Sequence, residues 1–294
     1  MIVLDFNGIA FGSLHATGKP DQLEESMFRH MVLNTIRMYN LRYREEYGQM
    51  VICCDWGSWR KTVFPEYKAS RGTNREKDTV DWDKVFKMVN TVRDEIRQYL
   101  CYPVVHVEGV EADDIIAVLA KYDNPESTNM FAREKVMIVS ADKDFIQLHS
   151  SSVQQFSPLT KKLVKDKDTV RYLYEHIFKG DAGDGVPNIL SPDDTFKSGN
   201  RQKPVTKKFM DSLYDEWLVK GDEAIPETHR RNYDRNNTCV NLDKIPSDIQ
   251  ETILEEYTKQ VKKAKMNKGR LLTYLTTRRA SGLIECASDF APGK

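Results

Sequence analysis

The 294-residue sequence has no apolar run near the roughly 20 residues that a bilayer-spanning helix needs, so a membrane role is not expected. Cysteine is scarce at five, and no pair stands at zinc-ligand spacing. Cys53 and Cys54 are adjacent in an apolar, strand-like run, while Cys101, Cys239 and Cys286 are isolated. That usage suits a reducing, cytoplasmic compartment rather than a disulfide framework. The six histidines are scattered, which leaves little support for a histidine metal site or a Ser-His-Asp triad. Repeats and low-complexity tracts are absent. The opening residues, Met1-Ile2-Val3-Leu4-Asp5-Phe6, lack the regions of a signal peptide and read as a strand.

Net charge is also missing, since 44 Lys and Arg balance 44 Asp and Glu. The two signs are not evenly mixed, however. Residues 195–210 carry Lys197, Arg201, Lys203, Lys207 and Lys208 with no acid, and residues 257–284 carry eight bases with no acid. Setting aside the nine carboxylates discussed below leaves 35 acids against 44 bases, a surplus suited to a polyanionic partner.

What is present is a folding composition, 40% apolar and 30% charged, long enough for one large domain and a smaller satellite. Residues 2–6, 50–55, 103–107 and 135–141 are rich in Val, Ile or Leu and read as strands. Helical patterns lie between them at 22–47, 82–100 and 111–122. In the first, Met27, Met31, Ile36, Met38 and Leu41 fall near a 3.6-residue period. Alternation of this kind means βαβ units, hence an α/β fold with a mainly parallel central sheet flanked by helices. From about residue 180 the chain reads as a smaller helical region, with an amphipathic helix at 246–260 and a loop at 195–205. The expected division is an α/β domain at 1–180 and a helical C-terminal region at 181–294.

Acidic residues follow the strands. Asp5 and Asp55 close the first two. Glu111, Asp113 and Asp114 stand where the loop after the third enters a helix, and Asp142 and Asp144 follow the fourth. Asp181 and Asp184 come next, in Gly180-Asp181-Ala182-Gly183-Asp184-Gly185. A parallel sheet puts the first seven on one edge, where such sheets bind ligands. Carboxylates this close raise each other's pKa unless cations intervene. An all-oxygen donor set without Cys or His selects hard ions such as Mg²⁺ or Mn²⁺, and two such ions are a standard clamp for phosphodiester cleavage. Taken singly, each acid has a structural explanation as a turn, cap or helix-start residue. Asp166, Asp168, Asp193 and Asp194 stand in polar loops, where that explanation prevails. Nine acids after four strands make coincidence the weaker account.

Three motifs then carry a resemblance: Glu111-Ala112-Asp113-Asp114, Ser140-Ala141-Asp142-Lys143-Asp144, and Gly180 to Pro187, with Asp5 and Asp55 upstream. The chain resembles the 5′-nuclease (flap endonuclease) superfamily, whose fold is PIN-like, and within it the phage RNase H branch of the T-even type, which removes RNA primers during replication. Residues 65–72, 155–162 and 241–246 support that branch. The resemblance implies a two-metal (Mg²⁺, with Mn²⁺ as substitute) 5′→3′ exonuclease and flap endonuclease. Asp5, Asp55, Asp113 and Asp142 would surround the first ion with Glu111 close by. Asp144, Asp181 and Asp184 would hold the second, and Asp114 would stand behind the ligands. It also implies an arch, here at about 56–80, whose Lys68 and Arg71 match a Tyr-Lys-x-x-Arg pattern and would contact the scissile phosphate. Arg60, Lys61, Tyr67, Arg75 and Lys77 of that segment are candidate nucleic-acid contacts, and Tyr67, Trp56 and Trp59 are candidates for stacking on unpaired bases.

One departure stands out. Many relatives carry a Gly-Ile-Gly hairpin that binds the duplex and K⁺. Here Val186-Pro187-Asn188-Ile189 runs into Leu190-Ser191-Pro192 without those glycines. That puts a monovalent-ion site in doubt and shifts duplex binding to Lys197, Arg201, Lys203, Lys207 and Lys208. The basic stretch 259–279 reads as a solvated helix face, a backbone contact, or a docking surface for a single-stranded-DNA-binding protein. A sliding clamp is a further implied partner, and the chain is expected to act as a monomer. Two other readings compete, a non-catalytic branched-DNA binder of the same fold and a Toprim-type nucleotidyl transferase. The first gains nothing from clustered acids, and the second does not need Asp5, Asp55 or the Gly-Asp motif.

Overall fold

A computed structural model describes residues 1–16, 18–122, 134–165 and 168–293, with the side chains of 73 and 74 excepted. In chain order the elements open with β1 (Ile2–Asp5), α1 (Phe6–His15), α2 (Glu25–Tyr47) and β2 (Met50–Cys54). There follow α3 (Arg60–Val63), α4 (Ala69–Glu76), α5 (Trp82–Tyr99), β3 (Val104–His106) and α6 (Ala112–Lys121). Then come β4 (Val136–Val139), β5 (Val153–Ser157), β6 (Lys162–Val164) and α7 (Thr169–Lys179). Last are α8 (Lys207–Lys220), α9 (Glu227–Val240), α10 (Ser247–Lys263), α11 (Lys268–Thr277) and the short α12 (Ser281–Ile284). The residues group into two compact units, neither continuous in sequence. One comprises Met1–Gly57, Thr79–Lys165 and Ser247–Lys294, the other Ser58–Asp78 and Asp166–Pro246. The last helices therefore belong with the sheet, whereas a division at residue 180 groups them with the helical region.

The first unit is the α/β fold read from the sequence. Its sheet runs β3-β2-β1-β4-β5-β6, parallel throughout except for the antiparallel edge strand β6. β1, β2 and β4 are apolar and buried along their length apart from the half-buried Asp5, as expected of strands covered on both faces. The order reverses at β1, which pairs with β2 on one side and β4 on the other. Ligands of open parallel sheets bind outside the carboxyl ends of the strands at such a reversal. Asp5 is the last residue of β1, and Ser140 follows directly on β4.

Two expectations are corrected here. The apolar stripe proposed for α2 is off its true face, because Met27 and Met38 are 53% and 47% exposed. Phe28, Val32, Leu33, Ile36, Tyr39 and Tyr43 make the buried side instead. In addition, the strand expected over 2–6 ends at Asp5, and Phe6 already opens α1. Asp5 caps that helix, its side chain accepting from the backbone N–H of Gly8.

The second unit is helical. Tyr174, Ile177, Phe178, Ile189, Met210, Ile225 and Tyr233 form its main cluster. Phe64 and Tyr67, between α3 and α4, pack with Val186, Cys239 and Val240 in another. Residues 195–206 have no regular structure, as the sequence suggests. No helix of the described residues is long and apolar enough to cross a membrane.

Candidate active site

Three acidic residues converge at the carboxyl ends of β1, β2 and β4. Asp5 Oδ1 accepts from Gly8 N at 2.8 Å, and Asp5 Oδ2 accepts from the Ser140 hydroxyl at 2.9 Å. The same hydroxyl accepts from Asp142 N at 3.1 Å. Asp55 Oδ1 accepts from Ala112 N and Oδ2 from Asn7 Nδ2, each at 2.6 Å. That bond seats Asp55 on the N-terminus of α6, where free N–H groups favour negative charge. Glu111, Asp113 and Asp114 stand at the same helix start, and α6 packs on β1 and β2.

The electrostatics of this cluster are unfavourable in the absence of a cation. Burial first, then the Asp55 carboxylate and more weakly that of Asp142, push Asp5 up to about 6, against hydrogen bonds from Gly8 and Ser140 that pull it down. Among the described residues neither Asp5 nor Asp142 is paired with a basic side chain. Crowded carboxylates with an all-oxygen donor set fit a hard divalent ion.

Roles within the acidic set differ. Asp114 is fully buried, and its Oδ2 accepts from Glu111 N at 3.2 Å, which closes the first turn of α6. Asp142 accepts from Asp144 N at 2.9 Å. Gln155 on β5, completely buried, donates to the carbonyls of Ser140 and Asp142 and so pins the loop that carries Asp142. Gln155, Asn7 and Gly8 escape a reading based on acidic motifs, since each acts by holding a carboxylate.

In the second unit, Asp181 and Val186 exchange backbone hydrogen bonds of 2.9 and 2.7 Å in a tight hairpin. Gly180 begins it at φ +64°, where a Cβ would lie 2.3 Å from the Val186 carbonyl, so no other residue fits. Asp181 lies 3.6 Å from His176 Nε2, and that imidazole, opposed by burial, holds the Asp181 carboxyl below its ordinary range. Asp184 gathers the basic residues of the expected arch. It accepts from the Tyr67 hydroxyl at 2.9 Å and from Arg71 Nη2 at 2.6 Å, with Lys68 Nζ at 3.3 Å. Lys68 also has a left-handed backbone, φ +56°, a conformation that a non-glycine side chain disfavours.

The other basic residues divide by exposure. Lys61, Arg75, Lys77, Lys197, Arg201, Lys203, Lys207 and Lys208 are exposed. Lys207 and Lys208 occupy the first turn of α8, where positive charge opposes the helix dipole unless an anion is near. Arg60 and Tyr67 are placed differently from the expectation. Arg60 is 2% exposed and donates to the Cys239 carbonyl, and Tyr67 is 3% exposed within the Phe64 cluster. Their apolar packing and internal hydrogen bonds hold them inside the unit, away from a nucleic-acid surface. Trp59 is buried under the Arg60 guanidinium. The loop acids have structural partners as well. Asp168 caps α7, Asp193 pairs with Arg231 and Arg235, and Asp194 accepts from Ser198. Asp166 lies outside the described residues.

A parallel sheet with crowded acidic residues at its reversal point fits a metal-dependent nuclease site. The family model of the 5′-3′ exonuclease N-terminal, resolvase-like domain matches residues 1–176, and that of the T4 RNase H C-terminal domain matches 166–290. The chain is 30% identical to ribonuclease H of Enterobacteria phage T4 over 301 residues, 98% of this chain and 95% of that protein. It is 25% identical to the flap endonuclease Xni of Shewanella loihica over 186 residues, 60% of this chain and 66% of that one. A crystal structure of the phage T5 D15 flap endonuclease with DNA and metal ions shares the fold, with a TM-score of 0.60 at 18% identity, covering 89% of this chain and 98% of that one. This chain belongs to the 5′-3′ exonuclease family, and within it to the phage RNase H branch. It is a structure-specific 5′-nuclease dependent on metal.

Proposed function

We propose that the protein is a Mg²⁺-dependent 5′→3′ exonuclease on RNA·DNA and DNA duplexes and a flap endonuclease, which removes RNA primers during phage-type DNA replication. The observation that carries this reading is the crowding of Asp5, Asp55 and Asp142 at the sheet's reversal point. Asp5, Asp55, Asp113 and Asp142, with Glu111, would hold one Mg²⁺, and Asp144, Asp181 and Asp184 a second, with Mn²⁺ able to substitute. When bound, such ions make a water acidic enough to ionise near neutral pH and stabilise charge on the phosphate.

The chain's own groups do the rest. Gly8 N–H and the Ser140 hydroxyl orient Asp5, while Asn7 and Ala112 N orient Asp55. Asp114 fixes the helix start that presents Glu111 and Asp113. Lys68 and Arg71 exchange Asp184 for the scissile phosphate and offset charge that develops there. Exposed Lys61, Arg75, Lys77, Lys197, Arg201, Lys203, Lys207 and Lys208 bind the duplex backbone and position without reading sequence. The protein acts as a monomer in the host cytoplasm, with a single-stranded-DNA-binding protein and a sliding clamp as partners.

A labelled 5′-flap incubated with Mg²⁺ or EDTA tests the reading. Cleavage is expected only with Mg²⁺, and Asp142→Asn is expected to bind the flap without cutting it. If Asp142→Asn cuts at the wild-type rate, the site assignment is wrong. Binding without cutting by the wild type would leave only a branched-DNA-binding role. Parallel RNA-tailed and DNA-tailed flaps decide the primer-removal role, which fails if RNA tails are not cut.

A further inference from the structure

Of the four tryptophans only Trp56 is exposed, at 49%, and it lies next to Asp55. One face of its indole is covered by the His106 imidazole, with ring centroids 4.6 Å apart and planes 12° from parallel. The imidazole is fixed in turn, because its Nε2 lies 3.3 Å from Arg93 Nη1 and 3.2 Å from the Asp55 carbonyl. The backbone is clamped on both sides. Trp56 N donates to the Val110 carbonyl at 2.9 Å, and Gly109 N donates to the Trp56 carbonyl at 2.6 Å. The following Gly57 and the facing Gly109 both have positive φ, and a Cβ on Gly57 would stand 3.5 Å from Gly109 Cα. A large apolar ring is thus mounted rigidly with half its surface in water.

We propose that Trp56, backed by His106, is a stacking platform for an unpaired nucleobase of the substrate strand. The choice of ligand rests on the nuclease reading above, while the platform rests on geometry. The two chains that clamp Trp56 carry Asp55 on one side and, after Val110, Glu111 on the other. A ligand that meets the ring and these acids together must join a flat apolar unit to a group held at the metal centre. In a polynucleotide each base is tied to a phosphate in that way. A base within a duplex shows only its edges, so the base on Trp56 is an unpaired one. Because ring and backbone are already ordered, little entropy is lost when the base stacks, and the contact is tolerant of base identity.

The test uses a 5′-flap with 2-aminopurine at each of the first unpaired positions in turn, bound in Ca²⁺. Quenching is expected at one position with the wild type, largely kept in Trp56→Phe and lost in Trp56→Leu, which keeps apolar bulk without a ring. Flap affinity should fall about ten-fold in Trp56→Leu. An abasic site at the quenched position should cost the wild type the same factor and cost Trp56→Leu nothing more. Such coupling supports direct stacking. If the Trp56→Leu loss persists in full on the abasic flap, or if no position loses quenching, the platform is refuted. Absence of Mg²⁺-dependent cleavage by the wild type on the same flap would instead overturn the nuclease reading and leave the quenching result standing.

Discussion

A Cβ atom placed on Gly8 would stand 2.6 Å from Oδ2 of Asp5, the carboxylate that caps α1. The first turn of α1 therefore has to lack a side chain at Gly8 for Asp5 to keep its position. Gly8→Ala makes a prediction that separates stability from function. Alanine is the better helix former by about 1 kcal/mol, and the atom that must move is the end of a flexible side chain. Thermal stability is expected to hold or rise, while Mg²⁺ affinity by calorimetry and cleavage rate both fall at least about ten-fold, the equivalent of about 1.4 kcal/mol at the site. Unchanged cleavage in Gly8→Ala would show that the placement of Asp5 does not matter.

Lys68 and Arg71 both contact Asp184, so each can be removed without stranding the carboxylate. Lys68→Ala is expected to lower the single-turnover rate by about 10² or more with little change in flap affinity. A wild-type rate would take Lys68 out of the chemistry.

The exposed Lys203, Lys207 and Lys208 are expected to bind phosphates. Each change to Ala should reduce the slope of log K against log salt by about one, with equal effect on all flap sequences. Filter binding at several salt concentrations measures this, and an unaltered slope in the triple variant would move the duplex elsewhere.

Stability in the second unit should depend on pH through Asp193. Burial works to raise its pKa, but the Arg231 and Arg235 guanidinium groups more than offset this and hold it below 3.8. A depressed carboxyl stabilises the fold above its unfolded pKa and loses that contribution as pH falls through the folded value. Asp193→Asn is expected to lower stability at pH 7, with the difference from wild type closing only below pH 3.8. Denaturant titrations across that range check it, and a gap that persists in acid would point to packing instead.

Glu95 is buried in the first unit and accepts from Arg29 Nε at 2.6 Å, the Tyr274 hydroxyl at 2.9 Å and Arg278 Nη2 at 2.7 Å. It joins α2, α5 and α11 through charge. Because Glu95→Ala leaves the buried Arg29 with only the half-exposed Glu25, a loss of about 3 kcal/mol in urea unfolding is expected. A loss below about 1 kcal/mol would mean that Glu25, the other partner of Arg29, carries the charge alone.

Local rules in the sequence determined a great deal about this protein. Runs of Val, Ile and Leu marked four of the five parallel strands, and the acids that follow them fell at strand ends, since a strand end is a position along the chain. The same rules passed over β5, β6 and α1, whose Phe6-Asn7-Gly8-Ile9-Ala10-Phe11-Gly12 stretch carries two glycines and forms a helix because it packs on α2 and β2. Periodicity also put the apolar face of α2 on Met27 and Met38, because it weighs hydrophobicity and cannot see which side the sheet covers. Partner choice belonged to the tertiary structure alone. Ser140 reaches Asp5 across 135 residues of chain, and Tyr67 reaches Asp184 across 117. Hydrogen bonds between such distant residues are fixed only when the strands and helices close on one another, which is why the acids could be read from the sequence and the groups that hold them could not.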